Sequence, residues 1–140
     1  MRFMMIVKGD QSYEAGQMPD PRLLEAIHVL SEKQTKAGIL LESGGLKPSA
    51  TGARIQAGGG KLTVIDGPFT ETKELVGGFA IMLADSRAAA IELGREFMQV
   101  HVDILGKDYE GQLEIRPMFE PSDFCGDVDP VELARDAKRG

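Results

Sequence analysis

The chain has 140 residues, enough for one domain with its own hydrophobic core. Its 16 basic and 22 acidic residues give a net charge of -6 without any basic patch, which argues against nucleic acid and anionic membranes as partners. Cys125 is the single cysteine, and no apolar run is long enough for a signal segment or a membrane span, so the composition predicts a cytoplasmic protein without a disulfide.

The first predicted element is a strand near the N-terminus that is apolar on both faces. Phe3, Met5 and Val7 point to one side, whereas Met4 and Ile6 point to the other. A small domain seldom has two layers of its own to cover such a strand. The pattern therefore predicts that the chain's helices cover one face and that a second copy covers the other, in a homodimer.

The first helix is predicted to follow a polar loop over residues 9–18. Asp20 is expected to cap it and Pro21 to occupy its first position, where the missing N–H costs nothing. Gly38 is expected to end it, since glycine favours the left-handed backbone just beyond a helix. Its inward stripe is predicted to consist of Leu23, Ile27, Leu30 and Ala37.

The middle of the chain predicts short strands. Residues 39–42 predict a strand that ends in a break or bulge at residues 43–45. Residues 53–57 and 61–65 are predicted to pair as a hairpin around the glycines between them. These strands lie between the first helix and the next central strand.

The second half predicts a strand, a helix and a strand. Residues 76–84 are apolar on both sides, which predicts a central strand. Asp85 or Ser86 is expected to cap the second helix, and residues 113–119 alternate as a last strand. The inward stripe of that helix is predicted to be Ala90, Leu93, Phe97 and Val100.

The order of these elements predicts an α+β protein with a ferredoxin-like βαββαβ unit over residues 1–120. Residues 121–140 change character and predict a turn-rich linker followed by a short helix. This tail has too few apolar side chains to fold alone, so it either docks on the body or frays. It is also a candidate contact surface for a protein partner.

The chain's densest cluster of special residues is the segment DGPFTETKE at 66–74, followed by VGGF at 76–79. Together with MRFMMIVKGD, AGILLESGGLKPS and GQLEIRPMFE, it resembles the YCII-related family, whose members are also called DGPF-domain proteins. The resemblance covers roughly residues 1–120 and implies a dimeric α/β barrel. Genes of this family often lie beside those for extracytoplasmic-function sigma factors, which implies a bacterial protein linked to signalling or stress. The reaction of most of the family is unassigned.

Asp66 is the leading candidate for a catalytic residue. Strand ends that face a cavity often carry a general acid or base. The alternative is that its carboxylate accepts hydrogen bonds from backbone N–H groups two residues on and holds the turn. Glu71 and Lys73 are further catalytic candidates, since Lys73 would keep a carboxylate ionised or bind an acidic ligand. Their alternative is a solvated helical turn.

Three other residues are candidate ligand contacts. Phe69 belongs to the signature, and Gly78 with its neighbouring glycine lets the backbone approach closely, which serves either a ligand or tight packing. Arg116, on the last strand, would clamp a carboxylate if its face lines a cavity. Its alternative is a surface ion pair with Glu114.

His28 is a weaker catalytic candidate. The resemblance is the reason to consider it, because other branches of the family are thought to pair a His with an Asp. It lies about 120° from the centre of its helix's apolar stripe, taking about 100° per residue, and so borders the polar face. His101 lies near the end of the second helix, where the helix dipole explains it.

No motif predicts a cofactor or a metal site. The glycines before Lys61 lack the other residues of a phosphate-binding loop, and the histidines and Cys125 lack metal-site spacing. The sequence therefore predicts a small organic acid bound in a cavity between sheet and helices, near Asp66, with cofactor-independent lyase or isomerase chemistry. The alternatives are a non-catalytic binding or regulatory module and a purely structural signature at the dimer interface.

Overall fold

The computed structural model describes residues 1–69 and 74–125. In chain order the helices and strands are β1 (Arg2–Lys8), α1 (Gln11–Glu14), α2 (Pro21–Lys36), β2 (Leu40–Gly45), β3 (Ala53–Gly58), β4 (Lys61–Asp66), β5 (Val76–Leu83), α3 (Arg87–Leu105), β6 (Leu113–Pro117) and α4 (Ser122–Cys125). A short 3-10 turn, Ser49–Thr51, precedes β3. The predicted C-terminal helix lies outside the described residues.

Four strands form one antiparallel sheet in the order β2-β5-β1-β6. The two central places belong to β1 and β5, both of which the sequence predicts to be apolar on both sides. β3 and β4 pair with each other and form a hairpin inserted between β2 and β5. Without the hairpin and the short helices, the chain follows a βαββαβ order, so this α+β architecture is compatible with the predicted ferredoxin-like unit.

Local capping explains where the two long helices begin. Asp20 accepts a hydrogen bond from the Arg22 backbone N–H at 2.9 Å, and Pro21 occupies the first position of α2, as predicted. α3 begins after Ser86, whose hydroxyl oxygen accepts from the Ala89 N–H at 3.1 Å. Of the two caps that the sequence allows, the serine is therefore the one used.

The hydrophobic core lies between the sheet and the helices α2 and α3. Phe3 and Met5 of β1 are 1% and 4% exposed, and they cluster with Met82 of β5 and Ala90 of α3. Gly94 brings α3 close to the sheet, because a side chain at that position would meet Ile115 at 2.6 Å. Burial of each large apolar side chain here stabilises the fold by roughly 1.5–3 kcal/mol.

The opposite face of the same sheet, which we call the outer face, does not contribute to the hydrophobic core. Met4 and Ile6 of β1 and Ile81 of β5 alternate with the core side chains and are only partly buried. The chain therefore covers one face of its central strands, as predicted, while the second copy stays a prediction.

The hairpin of β3 and β4 turns at Gly59 and Gly60. Both glycines have positive φ, 58° and 76°, which a two-residue hairpin turn requires. Every residue of the two strands is exposed. The predicted hairpin is confirmed, and it lies outside the main sheet.

The structure differs from the sequence prediction at four places, one of which is α4, a short helix within the segment predicted as a turn-rich linker. Helix α1 forms within the segment predicted as a loop, because Asp10 accepts from the Tyr13 N–H at 2.7 Å and caps it. β2 continues through the predicted break, since it pairs with β5 there, and its register shift lies earlier, between Leu40 and Glu42. Ala37 is exposed just beyond the end of α2 and does not continue the inward stripe.

Candidate functional site

A cavity of about 600 Å³ lies between the core side of the sheet and the helices, and we call it the inner cavity. Its walls are mostly apolar side chains from β1, β5, α2 and α3, among them Met5, Met82, Leu23, Ile27, Leu30 and Phe97. A volume of this size holds a small organic molecule, and a largely apolar wall with a few polar groups is typical of such sites. Its place between sheet and helices agrees with one part of the prediction, whereas the predicted position near Asp66 does not, because Asp66 does not line it.

His101 of α3 lies in the cavity wall and is 7% exposed. Its Nδ1 lies 2.9 Å from the carbonyl oxygen of Phe97, and because a carbonyl only accepts, Nδ1 is the donor. In the neutral ring, Nε2 is then the acceptor. The rings of Phe97 and Tyr109 lie against the imidazole, with centroids 4.6 and 5.4 Å away. These contacts orient the His101 ring, and Nε2 takes part in none of the hydrogen bonds found among the described residues.

Gln34 of α2 is also 7% exposed and lines the same cavity. Its Nε2 is buried and has no hydrogen-bond partner among the described residues. Leaving a buried polar group unpaired costs about 1–3 kcal/mol, so such a group calls for an explanation. The last side-chain torsion of glutamine is soft, which lets the amide turn toward a ligand in the cavity.

Two tyrosines line the inner cavity as well. Tyr13 of α1 donates its hydroxyl hydrogen to the carbonyl oxygen of Gly77 at 3.2 Å. Burial raises the pKa of Tyr13, and the charge of Glu14 raises it further. Burial also raises the pKa of Tyr109, with the charge of Asp10 adding to the effect. Both phenols are therefore protonated at neutral pH, with the Tyr13 hydrogen already donated to the Gly77 carbonyl.

Gly78, a predicted ligand contact, is buried in the wall of the inner cavity. A side chain there would lie 3.0 Å from the carbonyl oxygen of Gly44 on the neighbouring strand. Tight packing of β5 against β2 thus accounts for this glycine, which is one of the two explanations that the sequence left open. A ligand contact at Gly78 stays a prediction.

Asp66 ends β4 opposite Ala53, at the base of the hairpin, and is exposed. It is not among the residues that line the inner cavity. The structure thus separates the predicted acid or base from the cavity in which a ligand was expected. Catalysis by Asp66 stays a prediction.

The signature turn, residues 66–69, packs against the 3-10 turn that precedes the hairpin. An added side-chain carbon at Gly67 would lie 1.7 Å from the carbonyl oxygen of Ser49, so only glycine fits. The Phe69 N–H donates to Ser49 Oγ at 3.0 Å, and the guanidinium of Arg54 lies 3.8 Å from the centroid of the Phe69 ring. Phe69 therefore contacts the hairpin and not the inner cavity.

The remaining predicted site residues do not line the cavity either. His28 is 71% exposed on α2 and pairs with a glutamate one turn further on. Arg116 is 72% exposed and lies 3.9 Å from Glu114, the surface ion pair that the sequence offers as its alternative. Glu71 and Lys73 fall outside the described residues.

Sequence reasoning misses Gln34 and sets His101 aside, although the helical period places both on inward stripes. Gln34 lies four residues after Leu30, and His101 lies four residues after Phe97, so each continues an inward stripe by one turn. Each also has a local explanation that requires no functional role, because polar side chains are common near helix ends and a histidine there complements the helix dipole. Extending the stripes through polar positions would have found them.

Metal clusters and membrane spans are both missing from the part of the chain that the structure describes. Within residues 1–69 and 74–125, no three His, Cys, Asp or Glu side chains come together as a metal site requires. None of the helices described there combines the length and the apolar character that crossing a membrane demands.

Comparison with known proteins supports the resemblance seen in the sequence. The family model for the YCII-related domain matches residues 1–103. An uncharacterized protein of Rhizobium meliloti (strain 1021) is 26% identical over 128 residues, an alignment that covers 89% of this chain and 98% of the relative. The family match takes in the hairpin, the signature turn and most elements around the inner cavity.

Proposed function

Because the chain belongs to the family of YCII-related domains and contains the inner cavity, we propose that it binds a small organic molecule between its sheet and its helices. The observation that carries this proposal is the buried amide of Gln34, whose Nε2 has no partner among the described residues. A ligand that pairs with this amide would offset the free energy lost by burying it.

A small organic acid is the ligand class that the cavity suits best. An apolar body fits the wall, and a carboxylate accepts a hydrogen bond from the Gln34 amide, as it also does from Nε2 of His101 when the ring is protonated. Both side chains are 7% exposed, so hydrogen bonds to them are shielded from water. These two residues supply the specificity, and the apolar wall supplies most of the binding free energy.

The activity that we infer for this site is cofactor-independent lyase or isomerase chemistry. Such reactions need a group that takes up and returns a proton, and imidazole does so near neutral pH. His101 fits this role because its ring is oriented through Nδ1 and its Nε2 is available in the cavity. Apolar walls that exclude water favour the transfer.

Asp66 is the alternative proton carrier. It is exposed at the base of the hairpin, so a ligand that reached it would bind outside the inner cavity. The variants His101→Gln and Asp66→Asn separate the two assignments. With any substrate found for the parent, we expect turnover to be lost in the first and kept in the second, and the reverse result would move the reaction to the hairpin.

Isothermal titration calorimetry with benzoate, salicylate and phenylacetate tests binding in the inner cavity. Ala80→Leu adds a bulky group to the cavity wall, whereas Ala57→Leu adds the same group to the exposed hairpin. We expect at least one acid to bind the parent and Ala57→Leu alike, and Ala80→Leu to weaken it by about tenfold or more. Equal binding by all three proteins would mean that the acid binds elsewhere.

We further propose that a second copy covers the outer face, as the predicted α/β barrel requires. Met4, Ile6 and Ile81 leave this face apolar and only partly buried, and sheet faces of this kind are normally covered. Sedimentation should show a dimeric parent, a monomeric Ile6→Asp variant and a dimeric Val29→Asp control, because Val29 is exposed on α2. A monomeric parent would contradict the proposal.

The alternative function is a non-catalytic binding or regulatory module in the bacterial cytoplasm, linked to extracytoplasmic-function sigma factors. The family match ends at residue 103, which leaves the predicted tail outside it as a surface for a protein partner. Removing residues 126–140 leaves α4 in place and tests this alternative. Unchanged acid binding together with loss of a partner in pull-down experiments would favour the module.

A further inference from the structure

Helix α1 forms a part of the inner cavity's wall that lies next to solvent. Ser12 and Tyr13 line the cavity, while no residue of α1 is fully buried. The helix therefore lies between the cavity and solvent. A helix of four residues is not stable in isolation, so its position depends on side-chain contacts with the rest of the fold.

Those contacts come from two neighbouring residues of α1. Tyr13 reaches the sheet through the hydrogen bond from its hydroxyl to the Gly77 carbonyl, at 3.2 Å. Glu14 reaches the 3-10 turn instead, where Oε1 accepts from the Ser49 N–H at 2.9 Å and Oε2 accepts from Ser49 Oγ at 2.5 Å. Hydrogen bonds to an ionised carboxylate are stronger than neutral ones, so the Glu14 contact is the firmer of the two.

Ser49 is in turn held by the signature turn. Its hydroxyl oxygen accepts from the Phe69 N–H at 3.0 Å while it donates to Glu14. On the other side, Gly67 packs against the Ser49 carbonyl and its N–H donates to the Gly52 carbonyl at 3.0 Å. One serine therefore connects the signature turn, which does not line the cavity, to the helix that does.

We propose that Ser49 is a positioning residue: through Glu14 it ties α1 to the signature turn, holds this wall of the inner cavity in place and so controls ligand entry and release. The proposal rests on the proposed function, since it takes the inner cavity as the ligand site. It gives the signature turn a role in binding that needs no contact between Asp66 or Phe69 and the ligand.

The test compares Ser49→Ala with Thr51→Ala in the full chain. Thr51 lies in the same 3-10 turn and donates its hydroxyl hydrogen to the Pro48 carbonyl at 2.8 Å, away from Glu14 and Phe69. We expect amide hydrogen exchange over residues 10–18 to become about tenfold faster in Ser49→Ala and to stay unchanged in Thr51→Ala, since a hydrogen bond to a charged acceptor is lost only in the first. Exchange in β1 and β5 should be the same in both variants.

A second measurement follows ligand entry with 8-anilinonaphthalene-1-sulfonate as the probe. The relevant signal is the part that the cavity-filling variant Ala80→Leu removes. By stopped-flow fluorescence, Ser49→Ala should raise the association and dissociation rates together, each by about tenfold, with a smaller change in Kd. Ser49→Thr, which keeps the hydroxyl, should restore the parent rates.

The outcomes are distinguishable from failure of the proposed function. Unchanged exchange over residues 10–18 in Ser49→Ala would overturn the link, whatever the cavity binds. Faster exchange with unchanged probe rates would overturn the gating role while leaving binding in the cavity intact. If neither the probe nor any of the three acids binds the parent in a way that Ala80→Leu removes, the proposed function fails, and gating fails with it. Should Ser49→Ala unfold, Glu14→Gln, which weakens the same link by removing the charge, is judged by the same two measurements.

Discussion

The four-stranded sheet and the hairpin of β3 and β4 differ in how their apolar side chains meet solvent. In the sheet, Phe3 and Met82 are 1% and 4% exposed, so burial of apolar surface holds the strands in place. In the hairpin, Ile55 and Leu62 are 70% and 76% exposed. A two-stranded hairpin without a covered face is only marginally stable by itself. Contacts other than those of a buried core must therefore stabilise the hairpin.

Two local features stabilise the hairpin, which has no buried core of its own. The glycine turn fixes the register at one end, because it supplies the two positive φ angles that the turn needs. The signature turn anchors the other end, through Gly67 against Ser49 and Phe69 against Arg54. In this protein the signature turn is thus an anchor for the part of the chain that lacks a buried core.

The largest expected effect comes from removing a core side chain in the main sheet. Phe3→Ala should lower the free energy of unfolding by about 3–5 kcal/mol, because it removes buried surface and leaves a cavity. Leu62→Ala, the matched change on the hairpin, should stay within about 0.5 kcal/mol. Urea unfolding at one fixed protein concentration measures both.

A large loss of unfolding free energy in Leu62→Ala would contradict the contrast drawn between the sheet and the hairpin. It would mean that the exposed face of the hairpin is buried in solution, by the second copy of the chain or by another partner. A midpoint that depends on protein concentration in the parent and no longer does so in Leu62→Ala would place the hairpin in the homodimer interface.

Local rules account for most of what the sequence predicts correctly. The alternation in β1, the cap at Asp20 and the glycine turn of the hairpin each depend on residues within a few positions of one another. The position of Asp66, by contrast, does not depend on residues close to it in sequence. Whether the hairpin joins the main sheet depends on contacts distant in sequence, so no local pattern could show that Asp66 lies away from the inner cavity.

The next effect compares two glycines of the hairpin region. Gly67→Ala should cost about 1–3 kcal/mol of unfolding free energy, because its methyl group meets the Ser49 carbonyl and the turn must shift. Gly58→Ala has open space around it and should be neutral or stabilising by about 0.4–1 kcal/mol, because alanine restricts the unfolded chain. If both variants lost the same stability, the packing of the signature turn against Ser49 would not be what anchors the hairpin.

A smaller effect of opposite sign is expected at Gln34, which is the polar exception within the buried region. Gln34→Met keeps a similar volume and removes the unpaired amide, so it should raise the free energy of unfolding by about 1 kcal/mol. The same change should weaken binding of the organic acids measured by calorimetry. Gain of stability with loss of binding would identify Gln34 as a residue kept for its ligand. A stability loss would mean that its amide is paired in solution.

The smallest expected effect is a pH-dependent difference in stability at Ser49, which links the hairpin region to α1. The hydrogen bonds from Ser49 lower the pKa of Glu14 below its ordinary value of 4.5. A lowered pKa means that these bonds stabilise the fold fully above that value and that the gain is lost as pH falls through the lowered pKa. Ser49→Ala should therefore be less stable than the parent at pH 7, and the difference should shrink below pH 4.5.

Two other carboxylates complicate the pH profile of either protein alone. Hydrogen bonds from arginines lower the pKa of Asp20 and of Glu120, so both also lose stabilisation in acid. They are the same in the parent and in Ser49→Ala, and their contributions cancel in the difference between the two unfolding curves. Thr51→Ala should show a difference from the parent that does not vary with pH. A Ser49→Ala difference that is equally flat would mean that the serine hydroxyl does not bind an ionised Glu14, and α1 would then depend on Tyr13 and on the Ser49 backbone N–H for its position.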